Sequence, residues 1–541
     1  MPPISRIYRV WFLRFLGGGV LCLLALPTGD TPGGAFAASP FVVDTEEDAV
    51  DSAIGDGACA TATGTCTLRA AVQESNAFQG SDTIEVPAGT YEITIPAADP
   101  FTDGDGDFDI GDNTVITGAG SGATIIDGGG LDRVLELTGG LSATISGVTI
   151  RDGAAQFGGG GVQSGGNLTL SDVVVSGNLA GIDGGGIATT GGSTLTVTDS
   201  TITDNTASRD GGGVFAGTGS VVAITRSTIS GNSGRIGGGM LNRSQQAELT
   251  DTTLSGNSDT DGGGGLHNEG TIAVARSTLA TNQGTNGGAI TNVGTLDLIN
   301  STLSGNTASV TGGGIWNSGS ANLLNVTIAG NSGVFAGGID NNGTLTLKNT
   351  ILEGGPSGAN CVGVVTSQGH NVSQGISCVG SLTETGDVNS HSALLEAIAD
   401  NGGPTQTHAL MEGSPAIDGG DDAGCPATDQ RGAARPQGAS CDVGAFEVGE
   451  APVVFRQGEI DCDAGITPRD GLILLLLSAG GLPLLSRGTG CPEIGVGAPF
   501  PFGDVNCDGV VNALDALVVL AYRAGAVYRQ EAGCTAMGSA L

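Results

Sequence analysis

Apolar and polar residues alternate in short runs along residues 139–355, and the same order of runs returns about every 25 residues. Each copy contains a glycine cluster, an aliphatic residue, a polar turn, two short alternating runs and a closing asparagine. The gaps between closing asparagines are 27, 27, 25, 25, 24 and 25 residues, which indicates a structural repeat with small loop variations. The closing residues are Asn178, Asn205, Asn232, Asn257, Asn282, Asn306 and Asn331.

Each copy offers three sets of inward-facing candidates. In the copy that ends at Asn205 they are Ile187 after the glycines, the alternating pair Leu195 and Val197, and Ile202 before the asparagine. A period of two with Thr, Val and Ile predicts strands, and no run has the 3.6-residue period of a helix. Three strands per repeat, with glycine and asparagine at the corners, predict one turn of a parallel β-helix. The fold class is therefore an all-β solenoid.

The corner residues have physical roles in this prediction. Glycine permits positive φ and close backbone approach at a sharp bend. One asparagine per turn at an equivalent position can stack into a ladder of side-chain amides, and ligand binding is the alternative. Asp183, Asp210 and Asp261 precede glycine clusters in some copies only, which favours turn capping over metal ligation or acid catalysis.

Residues 1–37 have the pattern of an export signal. Arg6, Arg9 and Arg14 precede an apolar run at residues 15–26, and Ala35-Phe36-Ala37 offers a cleavage site. We therefore expect a secreted or cell-surface protein with no transmembrane span in the mature chain.

The chain of 541 residues has 55 acidic and 19 basic side chains, a formal net charge of −36. Such an acidic surface argues against nucleic acid as a partner and suits calcium or a saline exterior. Without Cys22 of the signal, ten cysteines remain, and they fall into local pairs that predict disulfides in an oxidising compartment. Zinc is the weaker alternative because no pair has CxxC spacing. The pairs are Cys59/Cys66, Cys361/Cys378, Cys425/Cys441, Cys462/Cys491 and Cys507/Cys534.

Residues 38–135 are expected to form an N-terminal cap and the first turns, and residues 136–380 the repeats. Leu68, Ala71, Val72 and Ser75 share one face of a predicted short helix, with Thr67 as its N-cap. The segment from Cys66 to Ala71 resembles the CSLREA-type N-terminal segment of secreted bacterial β-helix proteins. A helix there would cover the open end of the solenoid.

A short acidic loop follows. Asp103, Asp105, Asp107 and Asp109 alternate along the sequence DGDGDFDIGD, a spacing that can surround Ca²⁺ with oxygen ligands. The loop lacks a glycine at its sixth position and a late bidentate acid, so a solvated acidic loop is the alternative.

Residues 381–449 break the repeat. Their motifs, which include Asn401-Gly402-Gly403-Pro404-Thr405 and Asp442-Val443-Gly444-Ala445-Phe446-Glu447, resemble the choice-of-anchor Q domain of secreted β-helix proteins. The resemblance implies a right-handed, pectin-lyase-like solenoid with a C-terminal cap. For four polar residues of this region we expect buried hydrogen bonds rather than catalysis: His408, Asp418, Asp429 and Arg431.

After a linker at residues 450–457, residues 458–541 contain two loops with calcium-ligand spacing. In the second loop a glycine at the sixth position allows the sharp turn that such loops need. Its ligands would be Asp504, Asn506, Asp508, the Val510 carbonyl, Asn512 and Asp515. The first loop has Ala464 in place of that glycine and should bind more weakly. Its ligands would be Glu459, Asp461, Asp463, the Gly465 carbonyl, Thr467 and Asp470.

Two loop–helix units in tandem resemble a type I dockerin. The resemblance implies a small all-α domain with Ca²⁺ as its cofactor. It also implies a cohesin-like or other cell-surface protein as its partner.

Two functions are compatible with this organisation. One is a non-catalytic, adhesin-like or glycan-binding β-helix attached through its dockerin-like domain, with polysaccharide as a possible ligand. The other is a polysaccharide lyase or glycoside hydrolase that carries a dockerin. Cleavage of a glycoside needs a pair of placed carboxyl groups, and a lyase needs a base with calcium and a cationic side chain. The repeats contain no Asn-Thr-Asp, Asp-Asp or Gly-His-Gly sequence, which favours the first function.

Overall fold

The computed structural model describes residues 40–449, apart from residues 79, 97–105, 376 and 379. Most of this part is a parallel β-helix whose strands pair in register with the strands one turn before and after. The α-helix in it is Leu68–Ala77, and a 3₁₀ turn lies at Asp422–Gly424. No helix of this part is long and apolar enough to cross a membrane.

The strands stack into four columns, which we name A to D in the order that the chain visits them within a turn. Column A is the eleven-stranded sheet of Phe108–Ile110, Leu135–Leu137, Val162–Ser164, Ile187–Thr189, Val214–Ala216, Met240–Asn242, Leu266–Asn268, Ile290–Asn292, Ile315–Asn317, Ala336–Asn341 and Ala359–Gly363. Column D is the seven-stranded sheet of Ala154–Ala155, Leu179–Ala180, Thr206–Ala207, Ser233–Gly234, Ser258–Asp259, Gln283–Asn286 and Thr307–Thr311.

Columns B and C together form a 24-stranded sheet, because two long strands pass through both. The shared strands are Ser142–Arg151 and Asn167–Ser176. The others of column B are Phe41–Val42, Ser81–Val86, Asn113–Gly118, Thr194–Thr198, Val221–Thr225, Gln246–Thr250, Thr271–Ala275, Thr295–Ile299, Ser320–Leu324, Thr344–Lys348 and Thr366–Ser367. The others of column C are Gly89–Glu92, Thr124–Asp127, Thr201–Thr203, Thr228–Ser230, Thr253–Ser255, Thr278–Ala280, Thr302–Ser304, Thr327–Ala329, Ile351–Glu353, Val372–Ser373 and Val388–Asn389.

The predicted inward positions form the core. Leu195 pairs with Val222 and Val197 with Ile224 across neighbouring turns of column B, and all four side chains are fully or almost fully buried. The three predicted strands of each repeat are columns A, B and C. Column D is an additional short strand after the closing asparagine that the sequence pattern did not reveal, because its two-residue strands are too short to show a period.

The predicted asparagine ladder is confirmed. The Asn205 side-chain oxygen accepts hydrogen bonds from the backbone N (3.0 Å) and Nδ2 (2.9 Å) of Asn178, and the same pair of bonds links each later rung. A second ladder, which we did not predict, closes column A. In it each Nδ2 donates to the Oδ1 of the next residue at 2.7 Å, along Asn242, Asn268, Asn292, Asn317 and Asn341.

A left-handed corner separates columns B and C. Asp199, Arg226, Asp251 and Arg276 occupy it with φ values of 51°, 47°, 52° and 48°. Two ion pairs connect these corners across neighbouring turns, Arg226 with Asp199 and Arg276 with Asp251, each at 2.7 Å. In the following three turns the corner is an asparagine, at Asn300, Asn325 and Asn349.

The predicted N-terminal helix is confirmed. Thr67 caps it by accepting a hydrogen bond from Ala70 N at 3.0 Å. The buried face of the helix, including Leu68, Ala71 and Val72, joins the same hydrophobic core as the first strands.

Residues 393–448, which we name the strap, lie against the side of the β-helix. The strap covers the outer face of column C, where Thr278, Thr302 and Thr327 are at most 1% exposed. The three corner asparagines bind strap carbonyls, as Asn300 Nδ2 donates to Thr428 O at 2.7 Å. We expected this region to be a terminal cap, but its hydrogen bonds to the β-helix extend along residues 276–370 on the side.

Three predicted disulfides are present: Cys59–Cys66, Cys361–Cys378 and Cys425–Cys441. The other two predicted pairs, Cys462/Cys491 and Cys507/Cys534, lie outside the described residues, as do the export signal and the dockerin-like region.

Candidate functional site

The aromatic residues of the repeats share one side of the β-helix. Residues 139–391 contain four Phe, Tyr or Trp residues, namely Phe157, Phe215, Trp316 and Phe335. Phe215 and Trp316 are the outward, partly exposed middle residues of column A strands. Phe157 and Phe335 precede the glycine loops that lead into column A, and they are 46% and 65% exposed. We call these four residues the aromatic face.

The aromatic face is long. Phe157 and Phe335 belong to turns that are seven steps apart, which at the strand spacing of ~4.8 Å corresponds to roughly 34 Å. The core contributes no aromatic side chain over the same described turns, where it is built from Val, Ile, Leu, Met and Ala.

A charged cluster lies between Phe215 and Trp316. Asp210, 2% exposed, contacts Arg243, whose Nη1 is 3.0 Å from the Asp210 Oδ2. Arg243 also donates to both carboxylate oxygens of Glu269, at 2.8 and 3.1 Å, and lies over the Phe215 ring at 5.7 Å. One arginine thus links carboxylates from two turns and one aromatic ring.

The expected turn-capping aspartates are part of this ion-pair system. Asp183 pairs with Arg209 at 2.7 Å, and Asp261 pairs with Arg235 at 3.0 Å. Each pair joins neighbouring turns, so these side chains connect turns through charge.

Asp259 is an exception within column D. The equivalent inward position is alanine or glycine in the neighbouring turns, at Ala155, Ala180, Ala207, Gly234, Gly284 and Ala308. The Asp259 carboxylate accepts hydrogen bonds from Gly237 N at 3.2 Å and Thr285 N at 3.3 Å. Burial raises its pKa to about 6, against the lowering effect of these backbone donors.

His267 lies between Asp259 and Glu269. Its Nε2 is 3.6 Å from the Glu269 Oε1, and its Nδ1 has no hydrogen-bond partner among the described residues. A Cβ added to Gly262 would lie 2.5 Å from this Nδ1 and 3.0 Å from the Asp259 Oδ2. The two atoms therefore face the same small space beside Gly262. The neighbouring His267 and Arg243 lower the pKa of Glu269 to about 2.

The structure describes two of the four aspartates of the predicted acidic loop. Asp107 and Asp109 have carboxylate oxygens within 4.8 Å of one another and of Glu136, which sequence reasoning missed. Burial and the Asp109 charge raise the pKa of Asp107 to about 7. Arg133 also contacts Asp107, at 3.1 Å, and supplies a positive charge within the cluster. The other two predicted ligands, Asp103 and Asp105, lie outside the described residues.

His408, Asp429 and Arg431 of the strap make buried or partly buried hydrogen bonds, as expected, whereas Asp418 is exposed and the expectation is wrong for it. His408 joins Glu396 O at 2.7 Å and Ser304 Oγ at 2.9 Å, and burial lowers its pKa. Arg431 pairs with the fully buried Asp429 at 2.7 Å. Asp418 is on a separate part of the strap, where its Oδ1 accepts from Ser440 N at 3.1 Å.

The twelve predicted calcium ligands, from Glu459 to Asp470 and from Asp504 to Asp515, lie outside the described residues.

The chain matches the family model described as "Right handed beta helix region" over residues 101–278 and 137–333. The protein is thus an all-β parallel β-helix solenoid by both its strands and this match. No curated protein matches the chain.

Several solved structures are similar to this chain. Pectate lyase Pel9A is 13% identical with a TM-score of 0.38, over 76% of this chain and 97% of that one. XylC in complex with xylose is 12% identical with a TM-score of 0.34, over 59% of this chain and 67% of that one. The catalytic domain of a GH87 α-1,3-glucanase in complex with nigerose is 13% identical with a TM-score of 0.25, over 67% and 71%.

Proposed function

We propose that this chain is an extracellular protein that binds polysaccharide along the aromatic face. The observation that carries the proposal is the position of the four aromatic residues of the repeats, all of which lie on one side and outside the core. Aromatic side chains contribute strongly to binding interfaces, and the apolar face of a sugar ring covers an aromatic ring well.

The surroundings of the aromatic face suit a polyhydroxylated ligand. Thr311 and Asp340 form a hydrogen-bonded pair beside Trp316 and Phe335, with 2.8 Å between the Thr311 Oγ1 and the Asp340 Oδ2. Arg243 and Glu269 lie beside Phe215 with part of each side chain exposed. Rings that hold a sugar by stacking therefore have polar groups near them that can accept and donate hydrogen bonds.

An extracellular location agrees with the disulfides. Three cystine bridges within the described residues require an oxidising compartment in most organisms. The export signal expected at residues 1–37 supports the same location.

The binding test uses the purified mature chain with calcium present, on a glycan array and with soluble polysaccharides. We expect Trp316→Ala and Phe335→Ala each to weaken binding by about 5- to 30-fold, since a stacked ring contributes roughly 1–2 kcal/mol. Phe78→Ala is the matched control, because Phe78 is 38% exposed but lies at the end of the N-terminal helix. Absence of glycan binding, or binding by both variants that equals that of wild type, would refute the proposal.

We further propose that the protein is held at a surface by its dockerin-like region, in an adhesin-like attachment. The spacing of oxygen ligands from Asp504 to Asp515 supports a calcium-dependent module that binds a cohesin-like or other cell-surface protein. Calorimetry of the full chain should show that Asp504→Ala with Asp515→Ala removes the tighter calcium site. Unchanged calcium binding in this double variant, relative to an Asp297→Ala control in the β-helix, would show that the ligands are assigned wrongly.

A further inference from the structure

The turn that contains residues 258–269 departs from the repeat in the middle of the aromatic face. We propose that a polysaccharide bound on this face is hydrolysed at this turn. Asp259 acts first as general acid and then as general base, and Glu269 stabilises the positive charge that develops on the sugar. The inference rests on the proposed polysaccharide binding and adds an activity to it.

The position of the turn supports this assignment. It lies two turns from the Phe215 strand and two turns from the Trp316 strand, through the register Val214–Met240–Leu266–Ile290–Ile315. A chain that stacks on both rings must pass over it.

The residues of the turn are unusual for the repeat. A carboxyl group replaces the alanine or glycine of column D at Asp259, and an imidazole occupies the outward position of column A at His267. Alanine occupies the equivalent position in four other turns and glycine in the two adjacent turns, so the fold itself does not require the carboxyl group.

The two carboxyl groups have opposite environments. Asp259 is half-buried and bonded to backbone N–H groups, whereas Glu269 is held by the Arg243 guanidinium and lies beside the His267 imidazole. The pKa of Asp259 is about 6 and that of Glu269 is about 2, so near pH 5 the first is mostly protonated and the second ionised. Paired groups with pKa values pushed apart are the arrangement that acid catalysis beside a fixed negative charge needs.

The reaction balances with one water molecule. Asp259 gives its proton to the glycosidic oxygen while the bond from that oxygen to the anomeric carbon breaks, and the bonding electrons remain on the oxygen. The anomeric carbon then carries positive charge opposite the Glu269 carboxylate. Water adds to that carbon and gives one proton to the ionised Asp259, which restores the acid. The products are one new reducing end and one new hydroxyl end.

His267 is a positioning residue in this scheme. Its Nε2 contacts Glu269, and its unpartnered Nδ1 faces the same small space beside Gly262 as the Asp259 Oδ2. In this scheme the imidazole lies between the two carboxyl groups and does not touch the glycosidic bond.

The experiment incubates the mature chain with each polysaccharide that it binds, and measures reducing ends, unsaturated ends and remaining binding. We expect reducing ends without unsaturated ends, at a rate that falls as the pH rises above about 6 because Asp259 then loses its proton. Asp259→Asn and Glu269→Gln should each reduce the rate at saturating polysaccharide at least about a hundredfold. Asp297→Asn, on an exposed acid of column B in the next turn, is the matched control.

The outcomes separate the two proposals. If a polysaccharide is bound and remains intact, the hydrolytic inference is wrong and the binding proposal stands. If no polysaccharide is bound, both are wrong. Cleavage that survives both substitutions, or that yields unsaturated ends, also refutes the assignment. Thermal unfolding of each variant shows whether a lost rate comes from lost folding, and Glu269→Gln serves if Asp259→Asn does not fold.

Discussion

The asparagine ladder predicts a large stability effect from one substitution, Asn257→Ala. The Asn257 Oδ1 accepts from the backbone N and from the Nδ2 of Asn232, both at 3.0 Å. Its Nδ2 donates to Ile229 O at 2.9 Å and to the Asn282 Oδ1 at 3.0 Å. The residue is fully buried, and alanine removes all four bonds.

The expected magnitude follows from the groups left behind. The backbone N of Asn232, one N–H of its Nδ2 and the carbonyl of Ile229 lose the Asn257 side chain as a partner in a buried place. The Asn232 Nδ2 keeps its bond to Ile202 O at 3.0 Å. The Asn282 Oδ1 keeps the bond from the backbone N of residue 257 at 3.0 Å. Each orphaned buried group costs about 1–3 kcal/mol, and such costs add incompletely, so the free energy of unfolding should fall by about 3–5 kcal/mol.

The assay combines denaturant unfolding with hydrogen exchange measured on peptides of single turns. Because each turn of a solenoid contacts only its neighbours, protection should fall most around residues 229–257 and least near the strap. Asn322→Ala is the matched control, since Asn322 is exposed on column B and accepts one hydrogen bond, from Thr346 Oγ1 at 2.8 Å. If the two variants unfold at the same denaturant concentration, the ladder does not stabilise the β-helix.

Three further predictions test the helix cap, the glycine loops and a buried acid. Thr67→Ala removes the hydrogen bond from Ala70 N to the capping side chain. The free energy of unfolding of the N-terminal turns, followed by thermal unfolding, should therefore fall by about 1 kcal/mol. Gly213→Ala should impair folding and lower the soluble yield, because the added Cβ would lie 2.6 Å from a carbonyl oxygen of the next turn. Gly122→Ala is the control, because its Cβ would meet no atom within 4 Å and the substitution should be neutral. Burial raises the pKa of Asp442 from 3.8 to about 6, so its proton is held more tightly in the folded state. The free energy of unfolding of wild type should therefore fall, relative to that of Asp442→Asn, as pH rises from about 4 to about 6, by up to roughly 3 kcal/mol in denaturant titrations. A difference that does not change with pH would contradict the last prediction.

The fold could be predicted because its determinants recur at a fixed period. A residue such as Leu195 is followed one repeat later by Val222, and the alternation within each run shows which side faces inward. The closing asparagine could be recognised for the same reason. The N-terminal helix showed its own local signal, a threonine cap before an amphipathic stretch.

The candidate site could not be found in this way, because its residues are close in space but distant in sequence. Arg243 contacts Asp210 from 33 residues away and Glu269 from 26 residues away. No motif search links residues that far apart. A signal was nevertheless present, since Asp259 breaks a column that is otherwise alanine or glycine, but column D itself had not been recognised.

The position of the strap was predicted wrongly for a similar reason. Its sequence shows turns and buried polar residues but not the surface that they cover. The corner residues of the repeats carried that information. Charged residues at Arg226, Asp251 and Arg276 give way to Asn300 and Asn325, whose amides bind the strap.

The lateral strap has a consequence for how the length of this protein can change. Its hydrogen bonds to the β-helix fall on residues 276–370, so those turns form a block of fixed number. Between residues 173 and 275 each turn bonds to its neighbouring turns, and every rung of the asparagine ladder there makes the same bonds to the next rung. Duplication or loss of a whole turn there leaves the strap, its disulfide and the helix cap intact, and it changes the separation of Phe157 from the rest of the aromatic face in steps of ~4.8 Å. The length of the β-helix can therefore change in whole turns on the N-terminal side of the strap, whereas the turns that the strap contacts keep their number.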